Sequence, residues 1–182
     1  MGIVKTAGGY DLGEVISALQ KTIRRGEEAQ ALYWALELLP HFRGYLWKRL
    51  IVIAHEDIGV SNFSAIMFAE TCKQHFEFFW AEKKEGPCRL TLANCLLVLC
   101  RSKKTRIGNH LQCVVNQERL QKGMTIDIPD YALDKHTARG KGLKRSWKHF
   151  FEEGGKLEPK SDIRDPYEEE AEKLWMSGAK DN

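Results

Sequence analysis

The sequence predicts an all-α protein, and three observations carry that prediction. Apolar residues recur at helical spacing in one segment after another, Gly and Pro punctuate the segments where helices stop, and almost nothing alternates with the two-residue period of a strand. At 182 residues and 43% hydrophobic, the chain is long enough for one well-formed core with appendages. Residues 1–9 read as a flexible lead-in, 10–123 as a helical assembly domain, 124–175 as a basic and acidic C-terminal helical extension, and 176–182 as a disordered tail.

The first helix follows Asp11 and Glu14, which have capping-box spacing. Leu12, Val15, Ile16, Leu19 and Ile23 make its apolar face, Lys21, Arg24 and Arg25 add positive charge near its end, and Gly26 stops it. A second helix runs from about Glu27 to Leu39, with Ala29, Leu32, Tyr33 and Leu36 inward, and Pro40 is expected to end it. The stretch Tyr45–Gly59 is the most apolar: Leu46, Leu50, Ile53 and Ala54 form a stripe that Ile51, Val52 and Ile58 widen. It closes on His55, Glu56 and Asp57, with Gly59 placed to cap. Carboxylates at the negative end of a helix dipole need partners. The expected ones are Arg43, Lys48, Arg49, the polar step Ser102–Thr105 or the basic residues of Lys135–Arg145.

Ser61 or Asn62 can cap a long helix reaching about Glu82, with Ile66, Ala69, Cys72, Phe76 and Phe79 along one side. Phe68, Phe78 and Trp80 lie off that stripe. This aromatic surplus points to burial on two sides or a subunit interface, drawn from Phe68, Phe76, Phe78, Phe79 and Trp80. Pro87 suits the first turn of the next, nearly all-apolar helix through Leu99, and a fifth helix spans about Arg106–Gln121 before Gly123. Beyond Met124 come an extended connector, a short helix over Asp130–Arg139 broken by Gly140 and Gly142, a helix over Leu143–Glu153, and an acidic tail.

The charge of +3 is too mild to prove nucleic-acid binding, so its distribution matters. Lys135, His136, Arg139, Lys141, Lys144, Arg145 and Lys148 gather around Trp147, which can stack on a base if exposed. The alternative is a Trp147, Phe150 and Phe151 core whose basic residues pair with Glu152, Glu153 and the acidic tail. A binding module of this kind predicts salt-dependent affinity for single-stranded DNA that weakens when Lys144, Arg145 and Lys148 are neutralised.

No phosphate loop is present: Gly140-Lys141 lacks the glycine five residues earlier, where Lys135 stands. The chain is therefore expected to hold no nucleotide cofactor and to be no enzyme. His55, Glu56 and Asp57, with His136, have metal-ligating chemistry, but adjacent helix residues point about 100° apart, so a metal-dependent hydrolase is only an alternative reading. Cys72, Cys88, Cys95, Cys100 and Cys113 are odd in number and form no CxxC pair, which favours reduced thiols in the cytoplasm. No apolar run approaches a membrane span, and the N-terminal residues lack a signal-peptide core.

Read together, Tyr10-Asp11, Ile16-Ser17-Ala18-Leu19-Gln20-Lys21, Ile23-Arg24-Arg25-Gly26, Ala31-Leu32-Tyr33-Trp34 and Ile53-Ala54-His55-Glu56-Asp57-Ile58-Gly59 resemble the C-terminal helical region of the replication-associated recombination protein A family. That family of clamp-loader-related AAA+ ATPases includes the Werner-helicase-interacting ATPase. Gly86-Pro87-Cys88-Arg89-Leu90 and Ser102-Lys103-Lys104-Thr105 are similar to its later helices, and the likeness covers roughly residues 10–115. It implies a clamp-loader-collar-like domain that assembles tetramers of an ATPase at stalled replication forks, with affinity for single-stranded DNA ends and the single-strand-binding protein. Glu56, Asp57 and Gly59 then belong to a scaffold block. Two departures stand out: the AAA+ module is absent, and residues 124–175 look like those of short stand-alone relatives instead of the usual ATPase tail.

Overall fold

The computed structural model describes residues 4–178, and they divide into two compact units, one ending at Gly123 and one starting at Met124. Among the described residues the secondary structure is helical, and extended pairing is limited to one isolated bridge between Lys5 and Asp11. No helix is long and apolar enough to cross a membrane.

The first unit holds five helices: α1 (Leu12–Arg25), α2 (Glu28–Ile53), α3 (Phe63–Ala81), α4 (Glu85–Arg101) and α5 (Ile107–Gln121). Asp11 caps α1 by accepting the Glu14 N–H at 3.0 Å, and Gly26 closes it in the left-handed conformation at φ 77°. Residues 4–10 are not a loose lead-in. Thr6 is buried, its N–H donates to the Tyr10 carbonyl at 2.9 Å, and the Gly8 N–H donates to the Glu37 carboxylate on α2.

Pro40 does not end α2. The helix continues for 26 residues and takes up the missing N–H and the ring's bulk in a kink, where Phe42 leaves helical geometry at φ −124°, ψ 27°. Before the kink, Ala31, Ala35 and Leu38 are the buried positions, whereas Ala29, Tyr33 and Leu36 face outward. Tyr33 lies at the surface with its hydroxyl 3.2 Å from that of Tyr10. After the kink, Leu46, Trp47, Leu50 and Ile53 are buried.

α1 packs on the first part of the chain's second helix and α3 pairs with α4, so two helical hairpins enclose one core. Leu19, Ile23, Leu38, Leu46, Trp47, Leu50, Ile53, Ile58, Phe76, Leu92, Leu96 and Leu99 are its largest fully buried members. Full burial of each such side chain is worth about 1.5–3 kcal/mol before entropy is counted, which is why this set holds the hairpins together. α5 buries no residue at all in this unit.

The second unit departs from the expected helices. Asp130–Ala132 forms a single 3-10 turn, α6 covers only Ala138–Gly142, and α7 (Trp147–His149) runs into a wide π turn over Phe150–Gly154. Thr137 explains the late start of α6, because its hydroxyl accepts the Gly140 N–H at 2.9 Å and caps the helix there. Gly140 and Gly142 therefore lie inside a helix instead of breaking one. α8 (Glu168–Met176) carries the acidic cluster and is followed by a turn through Gly178; of the tail read as 176–182, residues 179–182 fall outside the described residues.

Candidate functional site

The acidic end of α2 is the most elaborate polar site in the first unit. After Ile53 the helix loosens into a π turn, Ala54–Ile58, whose end is set by Gly59 at φ 48°. A π turn holds one more residue than an α turn, which re-aims the side chains that follow. Asp57 is thereby turned fully inside, with none of its surface exposed.

Its partners come from α1 and from the start of α5. Arg24 Nε donates to Asp57 Oδ1 at 2.9 Å and Arg24 Nη2 to Oδ2 at 3.3 Å, a two-pronged contact. Gln20, one turn earlier on α1, donates to Asp57 Oδ2 at 3.2 Å and to Glu56 Oε2 at 3.1 Å. Arg106 Nη2 donates to Glu56 Oε1 at 2.8 Å, while its Nε lies 3.6 Å from Asp57 Oδ1. The Thr105 N–H donates to the Asp57 backbone carbonyl at 2.9 Å. Three segments far apart in sequence are thus tied at one point.

Arg24 and Arg106, both inside this unit, take the role that the sequence reading gave to Lys135–Arg145 and to Arg43, Lys48 and Arg49. Of the Ser102–Thr105 step only the Thr105 backbone takes part. Arg43 is occupied elsewhere, with its guanidinium 4.5 Å above the Trp80 ring and 3.4 Å from Glu77. Both carboxylates are paired, Asp57 with Arg24 and Gln20 and Glu56 with Arg106 and Gln20, so they act as a clamp between the segments. His55 is exposed. Among the described residues no three His, Cys, Asp or Glu side chains form a group that could hold a metal ion.

A second polar feature caps α4. Lys104 Nζ donates to the carbonyls of Leu99, Cys100 and Ser102 at 2.7–2.9 Å, supplying the positive charge that the end of a helix favours. Burial pushes this ammonium below the usual lysine range.

In the second unit the basic segment folds on itself. Asp134 accepts the His136 ring N–H and the His136 backbone N–H, both at 2.9 Å, and these bonds hold its carboxyl below the usual range. Gly140 packs so closely against Asp134 that a Cβ would fall 1.7 Å from its carbonyl oxygen. Lys135 Nζ sits 3.3 Å from the Trp147 ring centre, and His136, Phe150, Phe151 and Trp175 pack around the same ring. Trp147 is consequently a half-buried hub and not an open stacking platform. Arg145 is tied to Asp130 and Lys148 lies 3.8 Å from Glu152. Arg139, Lys141 and Lys144 stay exposed. Glu168 of the acidic tail pairs with Lys160, outside this segment.

The aromatic set of α3 also separates. Phe76 is fully buried in the unit's own core, 5.2 Å from Trp47 and stacked on Trp80, so it is unavailable to a partner. Phe79 is partly buried against the same core, whereas Phe68, Phe78 and Trp80 reach the surface. Sequence reasoning missed Gln20, Arg24 and Arg106 as partners of the acidic pair. The spacing of Gln20 and Arg24, four apart on the α1 face, was the available signal; nothing local marks Arg106.

Comparison with known proteins places these features. The chain is 24% identical over 157 residues to ATPase WRNIP1 of Dictyostelium discoideum, covering 83% of this chain and 17% of that protein. It is 29% identical over 151 residues to replication-associated recombination protein A of Bacillus subtilis (strain 168), covering 78% of this chain and 34% of that protein. The chain thus spans about a sixth and a third of the relatives it matches. The sequence model of the family described as "MgsA AAA+ ATPase C terminal" matches residues 26–161. The likeness therefore runs on through most of the second unit, which corrects the reading that confined it to 10–115 and set 124–175 apart. With three quarters of its length inside that match, the chain belongs to the family of MgsA-type AAA+ ATPase C-terminal regions.

Proposed function

We propose that this chain is a non-catalytic helical assembly module that works in DNA replication or recombination repair as a homo-oligomer, with a tetramer as its favoured state. The observation that carries the reading is the set of large apolar side chains outside the core of α3, namely Phe63, Met67, Phe68 and Phe78. A long helix with this much apolar surface exposed is the pattern of a protein–protein interface. The sequence holds no phosphate loop, so nucleotide hydrolysis in this system falls to an AAA+ module. The clamped carboxylates at Glu56 and Asp57 fit a scaffold role, and the five free thiols fit a reducing, cytoplasmic setting. Light scattering over a wide concentration range is expected to show an assembly of about four copies; a monomer at every concentration would overturn the proposal.

A second reading, single-stranded DNA binding by the second unit, is favoured by the exposed Arg139, Lys141 and Lys144. It predicts affinity for an oligonucleotide that falls steeply with salt, and salt-independent or absent binding removes it.

A further inference from the structure

α3 and α4 run antiparallel, and two contacts fix their register. At one end the Asn62 side-chain amide donates to the Ser102 hydroxyl at 3.0 Å; nearer the turn the Cys88 thiol donates to the Phe76 carbonyl at 3.7 Å. An equal number of residues separates these contacts on each helix, so one register holds between them. It sets Cys72 opposite Leu92 and Ala69 opposite Cys95. All four are buried, and of the two cysteines only Cys72 keeps any surface in solvent, 3% of it.

Opposition alone leaves Cys72 and Cys95 a turn apart, and side-chain tilt closes the gap. Each Cα–Cβ bond of a helix leans towards the N-terminus. In an antiparallel pair Cys72 therefore leans to the level of Ala69 and Cys95, while Cys95 leans back to the level of Leu92 and Cys72. The small side chain of Ala69 leaves the shared space open, and buried Ala65 and Ala69 allow the two axes to approach closely. The thiols meet there in a hydrogen bond, which holds Cys72 below the usual thiol range. The same bond, with burial, pushes Cys95 well above it. Cys72 is thus disposed to be the thiolate and Cys95 to keep its proton. The remaining thiols are placed otherwise. Cys88 is turned to the Phe76 carbonyl, Cys100 lies five residues past Cys95 and so about 140° round α4, and Cys113 is exposed on α5.

We infer that Cys72 and Cys95 form a redox pair, a modification site at which a hydroperoxide closes a disulfide that staples α3 to α4. The Cys72 thiolate attacks the peroxide, the O–O bond breaks, one oxygen stays on sulfur as a sulfenic acid and the other leaves as hydroxide. The Cys95 sulfur then attacks the Cys72 sulfur, the S–O bond breaks, and the sulfenic oxygen departs with the Cys95 proton as water. Two thiols lose two electrons, and hydrogen peroxide with the Cys72 proton ends as two waters. Hydrogen peroxide is little larger than water and reaches Cys72 through an opening too narrow for a maleimide. The inference is independent of the assembly reading above, and a dithiol reductant returns the pair to its resting state.

The test uses the full folded chain, exposed to a small excess of hydrogen peroxide at neutral pH, then denatured, alkylated and mapped by mass spectrometry without reduction. The expected product is a peptide pair joined through Cys72 and Cys95, two hydrogens lighter than its parts, present in most chains and lost on treatment with dithiothreitol. Cys95→Ala removes the second sulfur, so dimedone should capture a sulfenic acid at Cys72. Cys72→Ala should leave Cys95 unoxidised at the same dose. Circular dichroism checks that both variants fold, and the wild-type map decides by itself should either fail to. A peroxide product that joins other cysteines, or a link between Cys72 and Cys95 that forms only after denaturation, overturns the inference, as does a folded chain that gives no link at all.

Discussion

Arg24 reaches from the last turn of α1 to Asp57 at the end of α2, Nε to Oδ1 at 2.9 Å, and by doing so neutralises a carboxylate that has no contact with solvent. The pair joins residues 33 apart, and Arg106 approaches the same oxygen at 3.6 Å. Removing one partner of a buried ion pair costs about 3–5 kcal/mol. The Arg24 side chain is 34% exposed and Gln20 stays in place, so Arg24→Met is expected to lower unfolding free energy by a smaller amount, about 2–3 kcal/mol. Lys21→Met, on the exposed side of the same helix, should stay within about 0.5 kcal/mol of wild type. Urea denaturation of both variants, followed by circular dichroism, checks the contrast; equal midpoints would mean that the node contributes nothing to stability.

Gly140 and Gly142 lie two residues apart in α6, and the structure separates them sharply. A Cβ at position 140 would overlap the Asp134 carbonyl, whereas one at 142 meets nothing within 4 Å. Gly140→Ala must push apart the turn that carries Asp134, His136 and the Trp147 hub, a cost of about 3 kcal/mol or more. Gly142→Ala should instead be neutral or stabilising by up to about 1 kcal/mol, since alanine lowers the entropy of the unfolded chain. Tryptophan fluorescence and limited proteolysis of residues 130–155 distinguish them. Gly140→Ala should expose the segment to cleavage and Gly142→Ala should not.

These two sites also show what was legible in the sequence. Leu19, Ile23, Leu46, Leu50 and Ile53 declare themselves as core by spacing, because helical periodicity is a local property. Asp11, Gly26 and Asn62 mark helix ends for the same reason. Pro40 misleads, since the rule that proline stops a helix describes an isolated segment, and here packing on both sides of Phe42 carries α2 through the kink. The partners of Glu56 and Asp57 were beyond reach. An acidic pair at a helix end announces that cations are needed, but Arg106 is 50 residues away and arrives only through the fold. Gly140 looked like a breaker because the Asp134 carbonyl that demands it becomes its neighbour only after the turn has closed. Helical spacing already put Phe76 on the inner stripe of α3 and Phe78 off it, and the structure buries the first and exposes the second; only the further use of Phe76 as an interface residue fails.

The basic segment gives a prediction that differs from the one its sequence suggests. Arg145 is engaged by Asp130 and Lys148 lies beside Glu152, so neutralising them mixes structural damage with lost charge. Arg139, Lys141 and Lys144 are exposed without such ties, and their replacement by Gln should leave the fold unchanged. If all three contact single-stranded DNA, the slope of log affinity against log salt should fall in magnitude by about 2, at roughly 0.7 per phosphate contact. Fluorescence anisotropy with a labelled oligonucleotide at several salt concentrations measures it. An unchanged slope would move any nucleic-acid contact away from this segment.

The five thiols should differ in reactivity by position. Cys113 is exposed on α5, while Cys72, Cys88, Cys95 and Cys100 are buried between α3 and α4 or along α4. Burial pushes the Cys100 thiol up to about 11, and its contact with Cys72 together with burial pushes Cys95 well above the usual range. A thiol of pKa about 11 is only about 0.1% thiolate at pH 8, and the thiolate is the nucleophile. Brief treatment of the native chain with a maleimide or iodoacetamide at pH 8 should therefore add one label, at Cys113, and the remaining four should react only after denaturation. Raising the pH from 8 to 9 increases the Cys100 thiolate fraction about tenfold but leaves it behind the same packing. Peptide mass mapping should thus find Cys100 unlabelled at both pH values, and early labelling there would show that the α4 end opens far more readily than its three Lys104 hydrogen bonds allow.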